Sequence, residues 1–220
     1  MATFEYIRGG FMSLSQDQHM SIEPRSEIND TNIFSVIKNR RATRSFLSKP
    51  VSDEIINELI DYANQAPSAL NLQPWSFVVI QNADLLKEIS LEVKKKLLNN
   101  PFFSKEKGEY GMNFLTDPKF DIFHGASTLV IFCAKENVQK EFNTESDCFL
   151  AAQNFMLAAT GLGLSTCPIG LATDLLGEPL MRGRLGIPSY SRPVLPIVVG
   201  YAEGKTHFIG RNPPTIKWVK

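Results

Sequence analysis

The chain has 220 residues, a length that favours one compact domain with a sizeable buried core. Hydrophobic residues make up 43% of it and charged residues 21%, which is typical of globular proteins, and 23 Lys and Arg balance 23 Asp and Glu. The zero net charge provides no global field for nucleic acid or for an anionic membrane, so neither is expected as a partner.

Cysteine and histidine usage argues against a disulfide framework and against a metal site. Cys133, Cys148 and Cys167 form no CxxC pair and their count is odd, and the three histidines lie far apart in sequence. The apolar stretches are too short to span a bilayer, and the N-terminus lacks the continuous apolar segment of a signal peptide. The sequence therefore predicts a cytoplasmic protein with reduced thiols.

The first half of the chain begins with an unpatterned polar segment and continues with two helices. Residues 1–31 are predicted to be an N-terminal extension, and residues 32–220 the folded domain. Apolar residues at helical spacing predict a short helix over residues 33–39. A second helix is predicted to begin after Ser52, a favourable N-cap, and to stop before Pro67.

The remaining elements alternate between isolated apolar strands and helices. Residues 83–98 are predicted to form an amphipathic helix with Lys94–Lys96 in solvent, and residues 99–124 are irregular and rich in aromatic residues. Residues 145–162 are apolar almost all round, so the helix predicted there is buried in the core or in a subunit interface. The other predicted elements are strands at residues 77–80, 129–133, 194–201 and 216–219 and a short helix at 174–184. Helix-rich order with isolated buried strands predicts an α+β layer structure.

Three arginines within five residues are the first candidates for binding. The sequence RRATRSF at residues 40–46 contains Arg40, Arg41 and Arg44, whose guanidinium groups repel one another unless an anion lies nearby. In an extended segment Arg40 and Arg44 share a face. On these residues alone, a solvated basic patch is the favoured interpretation.

The sequence PSALNLQPW at residues 67–75 is the second candidate. Two prolines restrict this loop, and Ser68, Asn71 and Gln73 offer hydroxyl and amide groups that can pair with the polar edge of a planar heterocycle. The alternative is a structural turn that is anchored in the core by Trp75.

The third candidate is the turn that contains Pro168, Ile169 and Gly170. Glycine has no Cβ, so backbone can approach a flat ligand closely there, and a backbone N–H could face the reactive nitrogen of a flavin. The preceding Gly161 and Gly163 do not form a dinucleotide-binding fingerprint, because Thr166 stands where the third glycine is required.

Taken together in this order, the three stretches resemble the nitroreductase family over roughly residues 33–215. The resemblance implies a three-layer α+β fold with a central, mainly antiparallel mixed sheet flanked by helices, in a homodimer that looks domain-swapped. It also implies FMN bound non-covalently at the dimer interface, with NAD(P)H as co-substrate and a small planar acceptor such as a nitroaromatic or a quinone. The flavin then carries the chemistry, so no side chain is expected to be catalytic.

The resemblance also suggests a role for each candidate. Arg40 and Arg211 look like phosphate ligands, Arg41 would add phosphate or ribityl contacts, and Arg44 would lie near the flavin pyrimidine. The partner subunit would contribute Pro67, Ser68, Asn71 and Gln73, and Pro168, Ile169 and Gly170 would line the isoalloxazine ring. Ala42 departs from the serine that is frequent in this family, which removes one hydroxyl contact.

Several alternatives stay open on sequence alone. They are a flavin-binding carrier or sensor without turnover, an enzyme of the same fold that fragments flavin or removes halogen, and a structural dimer whose arginines bind an acidic partner. The sequence does not choose the acceptor or between NADH and NADPH. Phe102, Phe103, Tyr110 and Phe114 are candidates for stacking on an acceptor, and packing under a long loop is an equal alternative.

Overall fold

A computed structural model describes residues 32–100, 112–136, 143–204 and 210–220. Its strands are β1 (Trp75–Ile80), β2 (Thr128–Lys135), β3 (Ser165–Pro168) and β4 (Ser191–Gly200), which form one sheet in the order β1-β2-β4-β3. The helices are α1 (Ile33–Asn39), α2 (Asp53–Asn64), α3 (Ala83–Asn99), α4 (Thr144–Gly161), α5 (Thr173–Leu176) and α6 (Pro179–Arg184).

The sheet separates two hydrophobic cores, so the fold has three layers, and the interior strand β2 contributes side chains to both cores. Leu129, Ile131 and Cys133 pack with α3, α5 and α6 on one face of the sheet. Val130 and Phe132 pack with α2 and α4 on the other face. Because side chains alternate along a strand, a strand covered on both faces appears in the sequence as a continuous apolar run. The expected three-layer α+β fold is confirmed.

Neighbouring strands in the sheet pair antiparallel throughout. Within the described residues, the parallel component that was expected is confined to an isolated bridge between Ala42 and Thr166. This bridge brings the arginine-rich segment alongside β3, at the edge of the sheet.

Side-chain oxygens cap α2 and α3, and the cap of α2 is the predicted Ser52. The Ser52 hydroxyl accepts a hydrogen bond from the Ile55 N–H at 3.5 Å, and Asn82 caps α3 by accepting from the Leu85 N–H at 2.9 Å. These oxygens satisfy backbone donors that have no partner within the helix. The predictions for α1, α2 and α3 are confirmed.

One strand near the C-terminus was not predicted, and two predictions there need correction. Pro168 is the last residue of β3, a strand of only four residues that pairs with β4. The single helix expected at 174–184 is two short helices separated at Gly177. Residues 216–219 form no strand, and Trp218 is 79% exposed.

The prediction of a solvated Lys94–Lys96 run is wrong for its first member. Lys94 is only 6% exposed, and its ammonium group donates hydrogen bonds to the carbonyl oxygens of Asp117 at 2.6 Å and Phe120 at 2.9 Å. Hydrophobic periodicity missed it because a buried ammonium needs acceptors from a distant, irregular segment.

Helix α4 packs Ala151 and Phe155 into the core, while Phe149 and Leu150 are 42% and 47% exposed in the single chain. A role of that outer face in a subunit interface stays a prediction. Among the described helices, none combines the length and apolar character that crossing a membrane requires. The predicted extension, residues 1–31, lies outside the described residues.

Candidate active site

Three segments of the described chain surround a cavity of about 560 Å³. They are the arginine-rich segment, the stretch that precedes β2, and the turn that follows β3. The lining residues are Arg44, Phe114, Phe120, Ile122, His124, Cys167, Pro168, Ile169, Gly170 and Leu171. Volumes of roughly 300–1,000 Å³ and mainly apolar walls with a few polar groups are typical of small-molecule sites.

The segment of residues 40–46 meets β3 at the isolated bridge between Ala42 and Thr166, and Phe46 forms a second bridge with Ala202. Arg44 lines the cavity, and both Arg44 and Arg40 act on Cys167 by lowering its pKa against the larger effect of burial. Both arginines therefore lie near the same thiol, which agrees with the shared face expected of an extended segment.

Arg41 points elsewhere. Its Nη1 donates to the carbonyl oxygens of Lys38 at 2.6 Å and Arg40 at 2.8 Å, at the C-terminal end of α1. A cation there satisfies exposed carbonyls and complements the helix dipole. The phosphate or ribityl contact that the resemblance implies for Arg41 stays a prediction.

The turn after β3 presents backbone to the cavity. The Ile169 N–H is already used, since it donates to the Pro196 carbonyl oxygen at 2.8 Å. Gly170 begins a short 3₁₀ helix, Gly170–Ala172, and the first N–H groups of any helix have no partner within it. A Cβ added at Gly170 would meet no heavy atom within 4 Å, so open space adjoins this glycine.

The loop over residues 67–75 holds three non-glycine residues in left-handed backbone conformations. The φ angles are 50° at Leu70, 56° at Asn71 and 46° at Gln73. Each such residue costs about 1 kcal/mol or more, and Leu70 is also 74% exposed. Surrounding contacts therefore impose this conformation.

Side chains within the loop supply part of those contacts. Ser68 Oγ accepts from the Gln73 N–H at 3.0 Å, and Asn71 Oδ1 accepts from Gln73 Nε2 at 3.0 Å. Near its start the loop is anchored to α4, where Asp147 Oδ2 accepts a hydrogen bond from the Ala69 N–H at 3.3 Å.

Both interpretations of the loop keep support. Trp75 is buried at 5% exposure, and its Nε1 donates to Asn64 Oδ1 at 2.8 Å, as a structural anchor would. Within the described chain, none of Pro67, Ser68, Asn71 and Gln73 lines the cavity. Their predicted contribution to a second copy's site stays a prediction.

Burial and charge act together on the two titratable lining groups other than Arg44. Burial lowers the pKa of His124, the Arg44 guanidinium lowers it further, and Asp121 opposes both. Burial raises the pKa of the Cys167 thiol, and the two arginines oppose that rise more weakly. A neutral imidazole and a neutral thiol therefore border the cavity, and Cys167 is no activated nucleophile.

Sequence reasoning missed part of the lining. Phe114 was a candidate and does line the cavity, whereas Phe120, Ile122 and Leu171 were not singled out. The density of aromatics before β2 was the available signal. Phe102, Phe103 and Tyr110 lie outside the described residues. Arg211 is exposed and does not line the cavity.

Curated relatives match across most of the chain. A putative NADH dehydrogenase/NAD(P)H nitroreductase of Methanothermobacter thermautotrophicus is 26% identical, covering 85% of this chain and 86% of the relative. A nitrobenzene nitroreductase of Ectopseudomonas oleovorans is 28% identical, covering 78% and 87%. An iodotyrosine deiodinase of Drosophila melanogaster is 24% identical, covering 87% and 70%.

Solved structures share the fold. A nitroreductase with bound FMN from Bacteroides fragilis superposes with a TM-score of 0.72 at 23% identity, covering 86% of this chain and 98% of that one. An FMN-dependent nitroreductase of Mycobacterium smegmatis in complex with NADPH gives 0.56 at 24% identity, covering 76% and 86%. A family model described as the nitroreductase family matches residues 37–201, and the chain belongs to that family.

Proposed function

We propose that this protein is an FMN-dependent oxidoreductase that transfers electrons from NAD(P)H to nitroaromatic or quinone-like acceptors by a ping-pong mechanism. The observation that carries the proposal is the cavity, which joins the cation of Arg44 to the open backbone at Gly170 across an apolar space. Family membership and the FMN-bound and NADPH-bound neighbours support it.

The residues present fit a flat, anionic cofactor. The aromatic walls formed by Phe114 and Phe120 suit a planar ring, and the absence of a side chain at Gly170 leaves room for close approach. Arg44 would stabilise negative charge on the pyrimidine part of the ring. Arg40 would hold the phosphate together with Arg211, which lies in a segment that is exposed in the single chain.

Bound FMN would supply hydride acceptance and return, and the protein would supply position, charge and exclusion of water. The first N–H groups of the 3₁₀ helix at Gly170 would donate hydrogen bonds to the ring edge. The raised pKa of Cys167 keeps its thiol protonated, so this group would pack against the ring without reacting. NAD(P)H and the acceptor would occupy the remaining space in turn, which is the ping-pong order.

The second copy would complete the site. We propose a homodimer in which Pro67, Ser68, Asn71 and Gln73 of one chain enclose the cofactor of the other. The strained loop supports this role, because strain imposed by surrounding contacts concentrates at binding sites.

A second candidate is reductive dehalogenation of an aromatic substrate in the same cavity. The iodotyrosine deiodinase relative favours it, because its match covers as much of this chain as the nitroreductase matches do. The same flavin site would serve both reactions, so the substrate decides between them.

The experiment is anaerobic reduction and reoxidation of the purified protein. The absorbance of the bound flavin should bleach when NADH or NADPH is added and return when nitrobenzene or menadione is added. A small amount of enzyme should then reduce many equivalents of the acceptor. Return with iodotyrosine alone would favour the second candidate. Flavin that binds but is never bleached by either nicotinamide would leave only a carrier or sensor and would contradict the proposed activity.

A further inference from the structure

The buried ammonium of Lys94 holds one wall of the cavity from behind. Lys94 lies on the core face of α3 at 6% exposure, and its two hydrogen bonds reach the carbonyl oxygens of Asp117 and Phe120 at 2.6 and 2.9 Å. Burial of an ammonium group costs free energy that only good hydrogen bonds offset. Its neighbour Lys95 is exposed, so the burial is specific to Lys94.

Ser90 reinforces the same attachment one helical turn earlier. It is 4% exposed, and its hydroxyl oxygen accepts from the Ile122 N–H at 3.0 Å. Residues four apart lie on one face of a helix, so α3 holds residues 117–122 at three points from a single face. We refer to Ser90 and Lys94 as the α3 clamp.

The segment that the α3 clamp holds forms the aromatic side of the cavity. Phe120 and Ile122 line it, and the Phe120 ring meets the rings of Phe114 at 4.7 Å and His124 at 5.9 Å, both edge-to-face. The backbone of Phe120 and Ile122 is the part that α3 binds. Release of either contact would therefore shift rings that face the ligand.

We propose that Lys94 and Ser90 are positioning residues that fix the aromatic wall against the flat ring bound in the cavity. The proposal rests on the proposed function, because it takes the flavin ring as the occupant. Neither side chain lines the cavity, so both act through Phe120 and Ile122. The α3 clamp should influence ring binding and leave recognition of the phosphate unchanged.

The test compares binding of FMN and riboflavin to flavin-free protein by fluorescence titration. The variants are Lys94→Met and Ser90→Ala, with Lys95→Met as the matched control, since it removes an ammonium group from the exposed side of the same helix. Lys94→Met should weaken both ligands by roughly tenfold and Ser90→Ala by roughly threefold, with the ratio of the two dissociation constants unchanged. The control should match wild type.

Hydrogen exchange at the Ile122 amide adds a readout that needs no ligand. Exchange at the Ile122 amide that rises in both variants by more than the loss of global stability accounts for supports the α3 clamp. If Lys94→Met does not fold, Ser90→Ala decides alone. Folded variants with wild-type affinity for both ligands would overturn the role of Lys94 and Ser90 while leaving the proposed function intact. Wild-type protein that binds neither ligand would overturn both.

Discussion

Replacement of Arg44 by glutamine removes the positive charge that lines the cavity and keeps a polar side chain of moderate length. A hydrogen bond from a guanidinium to an anionic acceptor contributes about 1.5–3 kcal/mol, which corresponds to roughly a 10- to 150-fold weaker dissociation constant for FMN. Because Arg44 is exposed in the free chain, its removal should change the stability of that chain little.

A second consequence of Arg44→Gln is measurable without a ligand. The Arg44 guanidinium lowers the pKa of His124, so its loss should raise that pKa toward the ordinary value of 6.5. Two-dimensional NMR of the imidazole signals over a pH series provides the measurement. Isothermal titration with FMN provides the affinity.

Arg41→Gln tests whether FMN affinity depends on the position of the lost positive charge, because it removes the same charge as Arg44→Gln from a residue that does not line the cavity. The Arg41 side chain donates to two carbonyl oxygens at the end of α1, so its loss should lower the free energy of unfolding by about 1–2 kcal/mol. FMN affinity within about threefold of wild type would assign Arg41 to the end of α1 alone, whereas a larger loss would support the phosphate or ribityl contact that the sequence predicts. Equal loss of affinity in Arg41→Gln and Arg44→Gln, or none in Arg44→Gln, would refute this assignment.

Because the pKa of His124 is lowered, the folded chain binds fewer protons than the unfolded chain below about pH 6.5, and the free energy of unfolding should fall as the pH drops through that value. Urea unfolding of wild type and His124→Gln at about pH 7.5 and 5.5 measures this effect. Equal pH dependence in both proteins would contradict it. Asp147→Ala leaves the Ala69 N–H without its acceptor and should cost about 1–3 kcal/mol in urea unfolding and lower flavin content, whereas unchanged values would argue against this anchor. Mixed dimers of Asn71→Ala and Arg44→Ala chains should regain one working site of two, and the activity of mixtures measures this; no recovery at any ratio would exclude sites shared between chains.

The sequence predicted the elements whose signals are local. Ser52 and the apolar spacing after it define α2, and the continuous apolar run of β2 identifies a strand that is buried on both faces. The alternation expected of an extended segment also indicated that Arg40 and Arg44 share a face, and both act on Cys167. Each of these inferences depends on residues that are close in sequence, within one or two helical turns or a few positions along a strand.

The sequence could not predict features that depend on distant partners. Burial of Lys94 requires carbonyl groups of Asp117 and Phe120, more than twenty residues away in an irregular segment. Arg41 differs from Arg44 only in which atoms it meets after folding. The four residues of β3 carry too little pattern to be distinguished from a turn without their pairing to β4.

A crystal structure of the protein with FMN tests the central claim most directly. We predict that the flavin ring lies in the cavity between Arg44 and the Gly170 backbone, against Phe120, with the loop that contains Asn71 contributed by a second chain. Density for the flavin elsewhere, or an empty cavity at saturating FMN, would contradict the account.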